Sequence, residues 1–525
     1  MKNPLSNHRF VCSLALAVLA LVPGVRAQTL TPSVITNFSR TTRYNVDALG
    51  ALVQDAAGNF YGTTQGGGDF GDGSVYRVTA AGAFTTLYSF GGTDGAAPSS
   101  ELLLYSDGNL YGTTFEGGTF GYGTVFRITP AGVLTTLHSF YLADGRSPRG
   151  GLVAGTDGNL YGTTVEGGAT NTGTVFRISP SGGVTTVLHS FVRGDGTAPQ
   201  AALVLGADGL FYGTTAFNGT SDHPAIGPGS VFRITQAGAF QLLHLFNADA
   251  DGFGSVASLV QGGDGAFYGT NPDGGLYGSG TAFRITTGGA FTIIHTFSYT
   301  DGRGFNDDGV APTAALVDAG NGQFYGLTNA GGPGGSGTVF SVTPGGAFSV
   351  LYDFSGLLRD GTNPEGANPF AGFVRGADGR FYVPTTEGGA NAQGTVVAFS
   401  ADGAGATPSF FDGQVSLGNG VYYLVFPNGN LFGYYSFLSD PNYLYHFDLG
   451  YEYVFDANDG QGGVYLYDFG SGHFFYTSPT FPFPYLYDFT LNAVLYYYPS
   501  PDVAGHYTSN PRYFYDFGTG TIITQ

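Results

Sequence analysis

Short apolar runs broken by glycine-rich turns fill most of this chain, and they do not fall into helical spacing. The unit from Gly150 to Phe191 shows the pattern. "GLVAGTDGNLYGTT" is two brief apolar runs about Asp-Gly-Asn. Gly and Asn tolerate positive φ, so the stretch predicts a hairpin. "GTVFRISPSGG" is a third run that ends in turn chemistry. "VTTVLHSF" is a fourth, rich in β-branched residues. We label the four predicted strands a, b, c and d.

The phrase "DGNLYGTT" ends at Thr114 and again at Thr164. Looser copies end at Thr64, Thr215, Thr270, Thr328 and Thr386. Their tyrosines, Tyr61, Tyr111, Tyr161, Tyr212, Tyr268, Tyr325 and Tyr382, are 50, 50, 51, 56, 57 and 57 residues apart. Four short antiparallel strands at this period predict an all-β, seven-bladed β-propeller over residues 28–411. A solenoid would need capping elements, and none is evident. "VITNF", ending at Phe38, copies the end of strand d ahead of the first repeat. It is the candidate to complete the last blade and remove an exposed sheet edge. Phe411 in "ATPSFF" competes for that role, and "PNGNLFGYY" (427–435) offers a degenerate eighth blade as runner-up.

In such a blade the a–b and c–d hairpins share one face, and the b–c and d–a connections share the other. The second set carries the length variation, in the loops at 217–229, 298–312 and 355–369. Variable loops on a rigid scaffold are where binding usually sits. Acids recur there. Asp94, Asp144, Asp195, Asp251, Asp301 and Asp360 precede glycine in the d–a loops. Glu116, Glu166 and Glu387 precede Gly-Gly in the b–c loops. These three glutamates and His223, the one non-repeated histidine of the propeller, are the candidate binding residues. Turn chemistry accounts for the same dipeptides without a ligand. Asn247, Asp249 and Asp251 begin like a calcium loop, but its twelfth position is Ser258 rather than Glu. With Asp301, Asp307 and Asp308 they make calcium the candidate ion, although no motif requires a cofactor.

The aligned histidines His138, His189, His244 and His295 alternate with Tyr88 and Tyr352 at one strand-d position. A residue repeated with every structural unit reads as packing rather than catalysis. The strand-c arginines, from Arg77 to Arg284, read likewise. "GGGDFGDG" (66–73) contains a G-x-G-x-x-G, but a strand follows it where a phosphate site needs a helix N-terminus.

Charge and the chain ends narrow the role. The 525 residues hold 90 glycines and no tryptophan, and the formal charge is −20. That balance argues against nucleic acid and against an anionic membrane surface. Lys2 and Arg9, the apolar run 11–23 and Val25-Arg26-Ala27 read as a signal peptide over residues 1–27, cleaved before Gln28. The only cysteine, Cys12, would leave with it. No later apolar run is long enough to span a bilayer. From 412 to 525 the pattern changes. Of 35 tyrosines, 19 lie between Tyr422 and Tyr515, and "YLYHF", "YLYDF", "YLYDF" and "YFYDF" recur. Alternating aromatics there predict a smaller antiparallel module of hairpins. Its rings either form its own core or leave an exposed face for sugars.

The blade phrase "DGNLYGTT…EGG…GTVFRITPAG…TTLHSF" resembles the GloVer tandem repeat of bacterial exported proteins, over about residues 34–411. The resemblance implies export and a variable C-terminal surface anchor, and it carries no activity or site residues. "YLYHFDLGYEYVF" and its neighbours look like an aromatic module at the ends of secreted bacterial proteins, with Tyr and Phe where tryptophan is usual. "DGNL" and "RITPAG" also look, more faintly, like the streptogramin-lyase propellers, whose face carries a His and metal-binding carboxylates. No such blade-specific set stands out here. The expectation is an exported binding or structural module, extracellular, at the cell surface or in the periplasm. Its partner would be a cell-envelope polysaccharide or a surface protein. The alternative is a propeller lyase or glycan-active hydrolase using carboxylates of the b–c/d–a face.

Overall fold

The computed structural model describes residues 30–39, 48–217, 227–301, 304–320 and 322–401, together with eleven strands between Val415 and Thr524. The signal segment 1–27, His223 and Phe411 lie outside the described residues. All regular structure described is β-strand.

Six four-stranded antiparallel sheets follow one another in chain order. The second is typical, with a at Leu103–Leu104, b at Leu110–Thr114, c at Thr124–Ile128 and d at Leu134–Ser139. The seventh sheet draws on both ends of the propeller. Strand b (Phe381–Glu387) and strand c (Thr395–Ala401) come from the last repeat, and Leu30–Asn37 supplies strand d. Leu30 pairs with Ala401 and Asn37 with Thr395, and the Phe38 N–H donates to the Gly394 carbonyl at 3.0 Å. The ring therefore has seven blades and is closed by the "VITNF" strand. The eight-blade alternative fails because Leu431–Phe437 pairs with strands of a separate sheet.

The core lies between blades rather than within them. Tyr61, Val75 and Phe90 of blade 1 meet Leu102, Leu110, Phe126 and Ile128 of blade 2. The same arrangement recurs around the ring and ends with Tyr382 and Val396 against Phe60 and Tyr76. Strand-b tyrosines stack on the next blade's first strand-b ring, with centroids 4.0 Å apart for Tyr212–Phe267 and 4.1 Å for Tyr382–Phe60. These contacts add to simple area burial.

The glycine of "YGT" has a packing cause. Gly112 pairs with Phe126 across strands b and c, and a Cβ on Gly112 would lie 2.6 Å from Phe126 Cζ. Gly162 and Phe176 repeat the clash at 2.6 Å. The last repeat reads "YVP" instead, and there Val383 faces Val397. A ring and a glycine have been exchanged for two valines, which keeps the volume between the strands nearly constant.

Residues 415–524 contribute an eleven-stranded antiparallel meander, paired strictly in chain order. The phrases "YLYHF", "YLYDF", "YLYDF" and "YFYDF" are alternate strands of it, and "GYEYVF", "GHFFYT" and "AVLYY" are strands between them. Phe475 and Leu495 are fully buried.

Ring closure yields a test. Phe38 is buried against Tyr76 and Phe84, so Phe38→Ala is expected to cost about 3–5 kcal/mol. A chain that starts at residue 39 leaves the edge of Thr395–Ala401 bare. Calorimetry should then show a broadened or lost cooperative transition.

Candidate functional site: the loop face and the central channel

Most of the repeated polar residues are consumed by the scaffold. On the hairpin face, Asp107 Oδ1 accepts from the Asn109 N–H at 3.0 Å and its Oδ2 from the Tyr111 hydroxyl at 2.8 Å. Burial first, then the bond to Asp107, pushes the Tyr111 pKa up to about 12. Across strands b and c, Thr114 and Thr124 hydroxyls meet at 2.9 Å.

The d–a acids have a similar duty on the other face. His138 Nε2 is 2.8 Å from Asp144 Oδ2, and the Tyr141 N–H donates to the same carboxylate at 3.0 Å. Blade 3 reaches back to it through Thr185 Oγ1 at 3.0 Å, while Thr174 Oγ1 donates to the Asp144 carbonyl at 3.2 Å. One buried residue thus fastens the outer strand of one blade to the two outer strands, c and d, of the next. His189–Asp195 and His244–Asp251 repeat the bond at 2.9 Å, and Tyr88 bonds Asp94. The histidine rings also stack on the following blade, at 4.0 Å for His189 over Phe240. The packing reading of the histidines holds.

Two acids expected in this set belong elsewhere. In the longer loops the residue bonded to His295 is Asp308, at 3.0 Å, rather than Asp301. The counterpart after blade 6 is the buried Glu365 rather than Asp360, with Oε1 2.7 Å from the Ser355 N–H. Asp301 accepts from the Phe305 N–H and Asp360 from Thr362, each within its own loop. Insertions moved the acid along the sequence while its place in space stayed fixed.

The candidate calcium residues are drawn into these contacts. Asp251 is turned to His244 and Asp308 to His295. Asn247 Oδ1 accepts from the Asp249 N–H at 3.1 Å, which leaves the Asp249 carboxylate exposed. Asp307 is exposed as well. Among the described residues no three His, Cys, Asp or Glu side chains are placed to share a metal ion.

The b–c glutamates occupy one structural position. Each opens a short bridge to the d–a loop before it, Ala96 with Glu116, Arg146 with Glu166, and Ala367 with Glu387. Glu166 makes a half-exposed ion pair with Arg146 at 2.9 Å. Glu116 is exposed. They are spread around the ring, one per blade, and do not converge. Glu387 lines a cavity of about 270 Å3 with Leu49, Gln65, Asn329, Asn368, Phe370 and Thr386.

Leu49 and Phe370 also open the central channel, a space of about 90 Å3. Its wall takes three consecutive residues from every blade. In each of blades 1, 2, 5 and 6 the first and third face the lumen and the second is buried between blades. The outer ring is Leu49, Ser99, Arg149, Gln200, Val256, Thr313 and Phe370.

The repeat that builds this ring matches a described bacterial repeat over residues 24–226 and 205–443. The chain belongs to the Gloeobacter/Verrucomicrobia repeat family. The second match runs past Ala401 into the meander. Among solved structures it is similar to virginiamycin B lyase from Staphylococcus aureus, a catalytically inactive variant with quinupristin. The identity is 15%, over 71% of this chain and 99% of that one, with a TM-score of 0.47. It is similar also to BP39L lectin from Burkholderia pseudomallei, 13% identical over 68% of this chain and 97% of that one, with a TM-score of 0.48. No curated protein matches.

In this Gloeobacter/Verrucomicrobia repeat the channel residues escape a reading by motif, because no two copies share the first of the three residues. Glu101, Arg149 and Gln200 were not among the sequence-based candidates. For Arg149 and Gln200 a signal was available, since one position that varies without pattern lies twelve residues before each repeated tyrosine; Glu101 lies two residues further on in its copy.

Two outcomes check the structural role of the d–a acids. Asp144→Ala orphans three buried donors and should cost about 2–3 kcal/mol in denaturant unfolding, whereas Asp249→Ala should stay within about 0.5 kcal/mol. Burial raises the Asp308 pKa, but bonds from His295 and Ser298 outweigh this and hold it below its ordinary value. A depressed pKa stabilises above the unfolded value and is lost as pH falls through the folded one. The melting-temperature deficit of Asp308→Asn should therefore be full at pH 7 and shrink as the pH falls through and below the ordinary carboxylate range.

Proposed function

We propose that this chain is an exported binding module that holds a cell-envelope polysaccharide on its b–c/d–a loop face. One observation carries the reading. Six of the seven strongly exposed aromatic side chains among the described propeller residues lie on that face: Phe70, Phe120, Tyr141, Tyr277, Tyr299 and Phe305. The seventh, Phe84, is at the blade edge. Exposed apolar groups of this size concentrate where a soluble domain meets a partner. A flat ring offers its face to the C–H face of a sugar, and the nearby Glu116 and Glu387 accept from its hydroxyls. Repetition around the ring suits a polymer, since weak contacts on several blades multiply.

Binding is preferred to cleavage for a chemical reason. Hydrolysis of a glycosidic bond commonly takes two opposed carboxyl groups. Among the described residues lining the Glu387 cavity, Glu387 is the one acid. The signal reading and the family's exported members support a mature chain that begins at Gln28 outside the cytoplasm.

Co-sedimentation of the mature protein with purified envelope polysaccharide tests the surface. The double variant F120A/Y277A should bind at least about fivefold more weakly, while V133A/V184A, on the opposite face, should bind as wild type. Equal loss from both pairs, or no binding by wild type, would end the reading. N-terminal sequencing of the protein from a fractionated host tests export, and a chain still starting at Met1 would count against it.

A further inference from the structure

We propose that the central channel binds a small zwitterion, an amino-acid-like molecule whose ammonium group meets Glu101 and whose carboxylate meets Arg149. This site is distinct from the loop face and does not rest on the polysaccharide reading.

The channel brings unlike charged residues from different blades, Glu101 and Arg149, to one lumen. Glu101 is reached by lumen water but is otherwise surrounded by protein, and among the described residues its carboxylate has no hydrogen-bond partner. Its side chain leans over blade 3, where a Cβ on Gly151 would lie 2.6 Å from Glu101 Cγ. The glycine therefore makes room for the acid. Arg149 leans the same way around the ring, and its Nη1 donates to Gln200 Oε1 at 2.8 Å. A guanidinium has five N–H groups in a fixed fork, so donors remain for a carboxylate. No ion pair joins Glu101 to Arg149 among the described residues, although they stand on adjacent blades.

Two desolvated opposite charges that do not neutralise one another are costly to a fold unless something else meets them. Burial raises the Glu101 pKa and lowers that of Arg149, which is the sign of that cost. Elsewhere in the ring, each buried acid of the d–a loops has several donors. Glu101 has no such donor, Arg149 has only Gln200, and a ligand carrying both complementary charges would meet both. The rest of the outer ring sets the ligand's other end. Leu49, Val256 and Phe370 offer an apolar wall to an aliphatic side chain. At roughly 10–15 Å3 per water, the cavity takes on the order of six to nine water-sized groups, the size of a small aliphatic amino acid.

The test is calorimetric titration of the mature protein with L-valine, isobutylamine and 3-methylbutanoate. The last two each keep one of the charges. The expected result is saturable binding of L-valine, with each single-charge analogue about tenfold weaker or worse, as for loss of one charge-assisted contact. Glu101→Gln and Arg149→Gln should each weaken L-valine by about tenfold, and F120A/Y277A should not. No binding by wild type, equal binding of an analogue, or unchanged affinity in both variants would overturn the proposal. If the charge variants fail to fold by circular dichroism, Ala51→Leu serves instead. It narrows the lumen without touching either charge, so unchanged L-valine affinity in it would also overturn the proposal.

Discussion

Each of the six described turns from blade 1 through blade 7 depends on a single acid. Its side chain closes on the His or Tyr at the end of strand d. In blades 2 to 7 its carbonyl accepts from the Thr or Ser that opens strand c. A propeller has no core at its axis, so the angle between blades must be fixed at the joints. Apolar packing between blades supplies most of the stabilisation, but it is not directional. The buried hydrogen bonds supply the direction, because they are lost if a blade tilts. The ring closes only if every joint holds nearly the same angle, and the same few residues recur for that reason.

This constraint separates scaffold from site. A residue required at every joint is not free to serve one ligand, which disposes of the histidines and most of the acids. What remains free is what the joint does not use. The first free region is the outer tips of the loops, where Phe120 and Tyr277 project. The second is the lumen, where the strand-a residues face an axis that no blade fills. The two regions adjoin at Leu49 and Phe370, yet their chemistry differs. The tips are aromatic and open, suited to a broad polymer surface, whereas the lumen is narrow and charged on one arc.

Much of the fold was legible beforehand because it is repetitive. The spacing of seven tyrosines and the Asp-Gly-Asn hairpins pointed to a seven-bladed ring and its strand order, while the eighth blade and the choice between "VITNF" and Phe411 as closing strand were decided by the pairing of Leu30–Asn37 with Thr395–Ala401. Site residues were harder, and the errors have a common source. Asp301 and Asp360 were grouped with the other d–a acids by their Asp-Gly dipeptides, but in the longer loops Asp308 and Glu365 take the equivalent place in space. A hydrogen bond selects by distance in space, and an inserted segment leaves that distance unchanged. Glu101 and Arg149 were passed over because they sit in no motif.

The sequence by itself determined the architecture: strands, period, ring and the two faces. It could do so because each repeat buries its apolar face only against a copy of itself, and that demand is written in every copy. Only the tertiary structure decided which polar residues are spent and which are free. Convergence on an axis depends on the sum of seven blade rotations, and no single stretch of chain contains that sum. Glu101 and Arg149, 48 positions apart in the chain, line one channel only because the ring closes.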